Sequence, residues 1–91
     1  MTGPPADFMR KAQHGVIGFY CAAGDFSRAD RQLRSYDVRG ADVQDLIAVL
    51  VLTRAYRDNL RSRKRFRARI DEEMRKRFSK GEIKELIGGI E

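Results

Sequence analysis

The residue types that carry out catalysis are few and scattered in this 91-residue chain. The only histidine, His14, and the only cysteine, Cys21, lie seven residues apart, whereas a metal site needs several such ligands converging on one ion. Nucleophilic catalysis needs a serine or cysteine beside an oriented base, and the chain offers no such set. We therefore predict a protein that is not an enzyme, with no metal site, no cofactor and no small-molecule substrate.

The densest group of carboxylates, at 71–73, favours a structural role. Consecutive residues of a helix fan out by about 100°, so these three side chains cannot chelate one ion. Each acid precedes a base by four residues, and pairs of that kind stabilise a helix by about 0.2–0.5 kcal/mol each. The predicted pairs are Asp71 with Arg75, Glu72 with Lys76, and Glu73 with Arg77. This stretch therefore neutralises itself.

The ten residues RSRKRFRARI, at 61–70, indicate a different chemistry. Six of them are basic and none is acidic, and Arg61, Arg65 and Arg69 recur every four residues with few acids within a helical turn. Like charges at that spacing cost helix stability, so a negatively charged partner would be favoured. The arginine guanidinium binds phosphate through paired hydrogen bonds. The stretch therefore predicts contact with a polyanion.

The excess positive charge of the chain is confined to one segment. The formal net charge is +6, and residues 54–80 carry twelve basic and four acidic groups, a net of +8. Residues 1–53 are balanced with six of each sign, and the last eleven residues are net −2. Charge localised in this way is typical of an electrostatic binding surface.

Most of these cations form one ridge on a helical wheel, opposite an apolar stripe that includes Phe66 and Ile70. A ridge backed by a packing face can lie along a phosphate backbone or in a major groove. Two arginines, at 63 and 67, fall where the apolar stripe should continue, and a bend in the helix would explain them. The predicted binding residues are Arg54, Arg57, Arg61, Arg63, Lys64, Arg65, Arg67, Arg69, Arg75 and Lys76.

Several partners could account for this ridge. The preferred hypothesis is nucleic acid, DNA or RNA, bound through backbone phosphates with little sequence specificity. The alternative is an adaptor or inhibitor that docks its arginine-rich helix on an acidic surface of a larger protein. A solvated helix face and an anionic membrane surface are further interpretations. A standard helix-turn-helix is disfavoured, because its recognition helix would present Asp42 and Asp45 to phosphates.

Apolar spacing predicts an all-α fold, a small bundle of three to four helices in one domain over 1–91. Helices are expected at about 5–23, 26–36, 42–79 and 82–88. The apolar run VIGFYC could also form a strand. If it is helical, Gly15 and Gly18 leave a smooth patch where another helix can approach closely.

The third helix is predicted to be long and basic, because residues 41–80 contain neither proline nor glycine. Its apolar stripe reaches Phe78, and the short C-terminal element is too small to cover it. A second copy of the chain, as a homodimer or higher oligomer, would complete the cover. A break near 59–62 is the alternative, since it would fold the stripe back onto the chain itself.

The expected location is the cytoplasm. A single cysteine cannot form an internal disulfide, and the N-terminus lacks the apolar region of a signal peptide. The longest apolar run, at 46–52, is far shorter than a membrane span.

Overall fold

The computed structural model describes residues 6–90, and the regular structure in that range is entirely helical. The all-α prediction is confirmed, although the described residues form five helices instead of three to four. The segment VIGFYC is helical. The helices are α1 (Ala6–Ala22), α2 (Phe26–Ser35), α3 (Val43–Arg54), α4 (Arg63–Arg77) and α5 (Lys80–Ile87).

Short-range capping sets the start of three of these helices. The Asp25 carboxylate accepts a hydrogen bond from the Arg28 N–H at the start of α2. The Asp42 carboxylate accepts one from the Asp45 N–H at the start of α3. Ser79 and Glu82 form a reciprocal capping box at the start of α5. Side chains of these types satisfy N–H groups that have no partner inside the helix.

The prediction of one long basic helix over 42–79 is wrong. The chain leaves helical structure after Arg54, runs through turns at 55–62, and starts α4 at Arg63. A break near 59–62 was the alternative expectation, and the observed break begins several residues earlier. The break lets α4 fold back and pack against α2 and α3.

Long-range hydrogen bonds account for a break that contains no proline or glycine. The Asp30 carboxylate on α2 accepts hydrogen bonds from the Ser62 N–H (3.0 Å) and the Ser62 hydroxyl (2.6 Å). Arg63 donates back to α3, from Nε to the Thr53 Oγ1 (2.8 Å) and from Nη2 to the Leu50 carbonyl oxygen (2.9 Å). These bonds hold the end of α3 and the start of α4 in a bent arrangement.

The α4 stripe is buried by this arrangement within the chain itself. Phe66, Ile70 and Met74 are fully buried, and the Phe66 ring meets Tyr36 edge to face at 5.6 Å. Phe66 is therefore a core residue. The core combines buried apolar side chains from all five helices and from the connections between them.

The helices are arranged in a simple order of contact. Both α2 and α3 pack on α1 on one side and on α4 on the other, while α5 packs against α4. Within the described residues no helix combines the length and apolarity needed to cross a bilayer.

Candidate polyanion-binding surface

The ten predicted binding residues are divided between solvent and the interior. Two arginines, Arg63 and Arg67, turn inward, and an exposed third, Arg69, has its guanidinium engaged by α2. The other seven are exposed: Arg54, Arg57, Arg61, Lys64, Arg65, Arg75 and Lys76. The surface offered to a partner is thus smaller than the sequence predicted.

Arg63 is a structural residue. Only 4% of it is exposed, and its guanidinium is hydrogen-bonded to the Thr53 hydroxyl and the Leu50 carbonyl. A helix C-terminus carries partial negative charge, so a cation placed there is favourable. The sequence showed that Arg63 interrupts the apolar stripe, and the structure gives the reason.

Arg67 and Arg69 also make contacts within the chain. Arg67 Nε lies 3.0 Å from an Asp71 carboxylate oxygen, so Asp71 pairs with Arg67 in place of the predicted Arg75. Arg69 donates to the Tyr36 carbonyl (2.7 Å) and the Leu33 carbonyl (3.3 Å) at the end of α2. Its guanidinium has five N–H donors, so part of it stays open to solvent.

Arg77 is a residue whose larger role the sequence did not reveal. The predicted pair with Glu73 is present, with Nε 3.1 Å from a carboxylate oxygen. Arg77 also donates to the Ala41 carbonyl (2.6 Å) and the Arg39 carbonyl (2.9 Å). These bonds clamp the α2–α3 connection against the end of α4. Backbone carbonyls have no signature in the sequence, so no pattern could have predicted them.

A depression of about 480 Å³ lies where α2 meets the α3–α4 connection. Arg34 and Arg61 line it, together with the buried Asp30. The Asp30 carboxylate is occupied by hydrogen bonds from the Arg61 and Ser62 backbone and from the Ser62 hydroxyl. The two arginines therefore form no ion pair with a described carboxylate.

A second depression, of about 310 Å³, lies further along α4. Arg39, Arg69 and Lys76 line it, but Glu72 and Glu73 line it too. Lys76 lies 3.9 Å from Glu72, and Glu73 is held by Arg77, so much of the charge is balanced. The N-terminal end of α4 carries several exposed cations that are not balanced in this way.

The basic face is defined here by four exposed cations at that end: Arg34, Arg61, Lys64 and Arg65. Across the described residues none of the four has an ion-pair partner, in contrast to Arg28, which is paired with Asp25 at 3.0 Å. The positive end of the α4 dipole lies in the same place and adds to the potential. Sequence reasoning missed Arg34, because nothing in the linear chain shows that α2 lies beside α4.

A buried polar cluster lies apart from the basic face, between α1 and the end of α2. His14 Nε2 and the Tyr36 hydroxyl oxygen are 2.6 Å apart, and the two rings stack. Burial, reinforced by the charge of Asp45, raises the pKa of Tyr36, while burial lowers the pKa of His14. The tyrosine therefore stays protonated beside a neutral histidine, and which of the two donates depends on the histidine tautomer.

The cysteine lies in surroundings that disfavour its reactive form. Burial raises the pKa of the Cys21 thiol, which disfavours the nucleophilic thiolate. In the range 6–90 no three His, Cys, Asp or Glu side chains converge as a metal site would require.

No protein-family model, curated protein or solved structure matches the chain.

Proposed function

We propose that this protein binds nucleic acid through the phosphate backbone, with a binding and not a catalytic role. The observation that carries the proposal is the basic face, where Arg34, Arg61, Lys64 and Arg65 are exposed without acidic partners. Other cations of the same chain, among them Arg28, Arg67 and Arg77, are paired with carboxylates. Charge left unbalanced at one place, in a chain able to pair it elsewhere, is the expected footprint of a polyanion site.

The position of these cations supports binding over a merely solvated face. Cations near a helix N-terminus oppose the helix dipole, and Lys64 and Arg65 belong to the first turn of α4. The Asp30 carboxylate lies against that turn, but its oxygens are occupied by backbone N–H groups and the Ser62 hydroxyl, and Asp58, which lines a depression with Lys64, forms no ion pair with that lysine. A phosphate group would supply the missing negative charge.

Binding of this kind has little means of reading base sequence. Phosphate contacts fix position and orientation, whereas sequence is read by hydrogen bonds to base edges. The solvent side of α4 next to Arg65 presents Ala68 and Glu72, neither of which matches the preferred donors for guanine or adenine. We therefore expect similar affinity for unrelated sequences.

The test is titration of labelled duplex DNA, single-stranded DNA and RNA over a salt series. The test variant is Arg61→Gln/Arg65→Gln, and the matched control is Lys80→Gln/Lys84→Gln, which removes the same charge from exposed positions on α5. On duplex DNA, the slope of log affinity against log salt concentration becomes less negative by about 0.9 for each lost phosphate contact. The two substitutions of the test variant should therefore make it less negative by about 2. The control should keep the wild-type slope.

Two results would contradict the proposal. One is the absence of binding to all three nucleic acids at low salt, and the other is an equal loss of affinity in the test and control pairs. In the first case, the alternative partner, an acidic protein surface, becomes the better hypothesis for the same cations. Recovery of one acidic protein by wild type and control, but not by Arg61→Gln/Arg65→Gln, would then support it.

A further inference from the structure

Helix α1 is apolar on two opposite sides, and only one of them is covered. Its inner side buries Ile17 and Cys21 completely in the core. Its outer side leaves Phe8 60% exposed, Met9 56% and Phe19 70%. Five large apolar side chains are exposed in the described range. Four of them belong to α1: Phe8, Met9, Val16 and Phe19.

The outer face of α1 has the area of a small interface. A phenylalanine presents about 150–250 Å² of surface, so the four exposed apolar side chains offer on the order of 400 Å². A continuous apolar patch of that size on a monomer is often functional. Two such faces would contribute about 800 Å², to which the small residues between their large side chains add, and this is the range of weak, transient interfaces below roughly 1,200 Å².

The order of residues along this face is symmetric. Phe8, Ala12, Gly15 and Phe19 follow one another at spacings of four, three and four, and they lie within about 60° on a helical wheel. The pattern is large, small, small, large in either direction along the helix. An antiparallel copy related by a twofold axis would place Phe8 against Phe19 and Ala12 against Gly15. A twofold interface uses the same patch of both subunits, and this order lets the patch meet its own copy closely at the centre.

Gly15 and Gly18 of α1 differ in what surrounds them. A side chain on Gly18 would approach a Leu52 methyl group of α3 to 3.3 Å, so packing within the chain favours glycine there. A side chain on Gly15 would meet nothing within 4 Å. Glycine inside a helix costs stability, and no contact among the described residues accounts for it at Gly15. Close approach by a helix from outside would account for it.

We propose that the outer face of α1 docks on the same face of a second copy, forming an antiparallel, twofold-symmetric homodimer. A second copy fits this face, because a twofold axis brings its large side chains together at the two ends and its small residues together at the centre. Charge does not oppose the contact, because Arg10 turns inward to Asp45 and Lys11 lies at the margin of the face. Both α2 and α3 separate α1 from α4, so the dimer would leave each basic face open.

The first test is sedimentation velocity of the full chain over a range of micromolar concentrations. Wild type should sediment as a dimer, and Phe19→Glu, at a position too exposed to support the core, should be monomeric with an unchanged circular dichroism spectrum. The matched control is Val51→Glu on α3, where the wild-type residue is 57% exposed. This control should remain a dimer. A monomeric wild type, or equal dissociation by both variants, would overturn the proposal.

The second test is disulfide cross-linking, which reports the register. Chains carrying Ala12→Cys and chains carrying Gly15→Cys are mixed, and the opposed positions should form mixed disulfides faster than either chain cross-links with itself. The native Cys21 is buried and does not interfere. Random pairing among the introduced cysteines would exclude the antiparallel arrangement.

Salt separates this proposal from nucleic-acid binding. An interface of apolar side chains should be unaffected or strengthened by salt, whereas phosphate binding weakens as salt rises. The dimer measurements need no nucleic acid, so either proposal can fail alone.

Discussion

Arg63 shows how burial decides the role of a basic side chain. It belongs to the densest run of cations in the sequence, yet its guanidinium lies inside the protein between α3 and α4. Arg65, two residues later, points to solvent. The same residue type in one short segment therefore serves folding in one case and is available for binding in the other.

Replacing Arg63 by lysine should destabilise the fold. Lysine keeps the charge but cannot reproduce the planar geometry that engages Thr53 and the Leu50 carbonyl together. Because hydrogen bonds from charged donors contribute about 1.5–3 kcal/mol, the free energy of unfolding should fall by about 2 kcal/mol in urea denaturation. The control Arg65→Lys should change it by less than about 0.5 kcal/mol. Equal stability of the two variants would show that the buried contacts are energetically unimportant.

His14 should make stability depend on pH in the weakly acidic range. Burial is the largest cause of its lowered pKa; Asp45 opposes the shift, while Lys11 and Arg10 add to it. The folded protein therefore resists protonation, and the unfolded chain binds the proton more readily. Its contribution to stability is complete above the unfolded pKa of 6.5 and is lost as pH falls from there through the lower folded pKa.

The measurement is thermal unfolding of wild type and His14→Gln from pH 7.5 downward. The melting temperature of wild type should fall more steeply than that of the variant between about pH 6.5 and pH 5, where few carboxylates titrate. Parallel curves for the two proteins would mean that His14 is not the titrating group.

At the scale of the helices, the start of α4 depends on a residue from α2. Ser62 stands at the N-cap position of α4 but makes no capping hydrogen bond through its side chain. Asp30 takes over, accepting hydrogen bonds from the backbone of Arg61 and Ser62 across more than thirty residues. Helix formation and tertiary packing are therefore coupled at this point.

Asp30→Asn should weaken that coupling. The amide keeps one acceptor oxygen but loses the charge and the second acceptor, and N-cap losses typically cost about 0.5–2 kcal/mol. The free energy of unfolding should fall by that amount in urea denaturation. Asp58→Asn is the control, because the Asp58 side chain is 94% exposed. If both substitutions had the same effect, Asp30 would not be the residue that holds the start of α4.

Helix ends differ in how far they can be predicted. A sequence can show the Asp42 cap of α3 and the capping box of Ser79 and Glu82, because each acts within three residues. The end of α3 at Arg54 is not readable, since the sequence through 41–80 favours helix throughout. Bonds from Asp30 and Arg63 to distant parts of the chain set the break.

At the scale of the whole molecule, two unlike surfaces lie on different helices. The basic face at the start of α4 predicts binding that salt weakens, and the apolar face of α1 predicts self-association that salt does not weaken. Because α2 and α3 lie between these helices, both surfaces can be occupied together. A dimer would then carry two basic faces, and two linked sites bind a long polyanion more tightly than one.

The candidate site was predicted in part. Charge counting identified the segment, and the exposed Arg61, Lys64 and Arg65 belong to it. It included Arg63, which is buried, and it missed Arg34 on α2. Charge can be counted in a sequence, but whether a guanidinium meets solvent or a carbonyl depends on which helix lies beside it.

The amino-acid sequence by itself determined the all-helical class, the caps of three helices and the position of the positive segment. These features depend on periodicity, capping and composition, which act within a few residues. Tertiary structure alone decided the break after α3, the capping of α4 by Asp30 and the clamp formed by Arg77, whose partners lie ten to thirty-nine residues away. It also decided which apolar side of α1 is buried. These features depend on which parts of the chain meet, and that follows from the burial of the whole core.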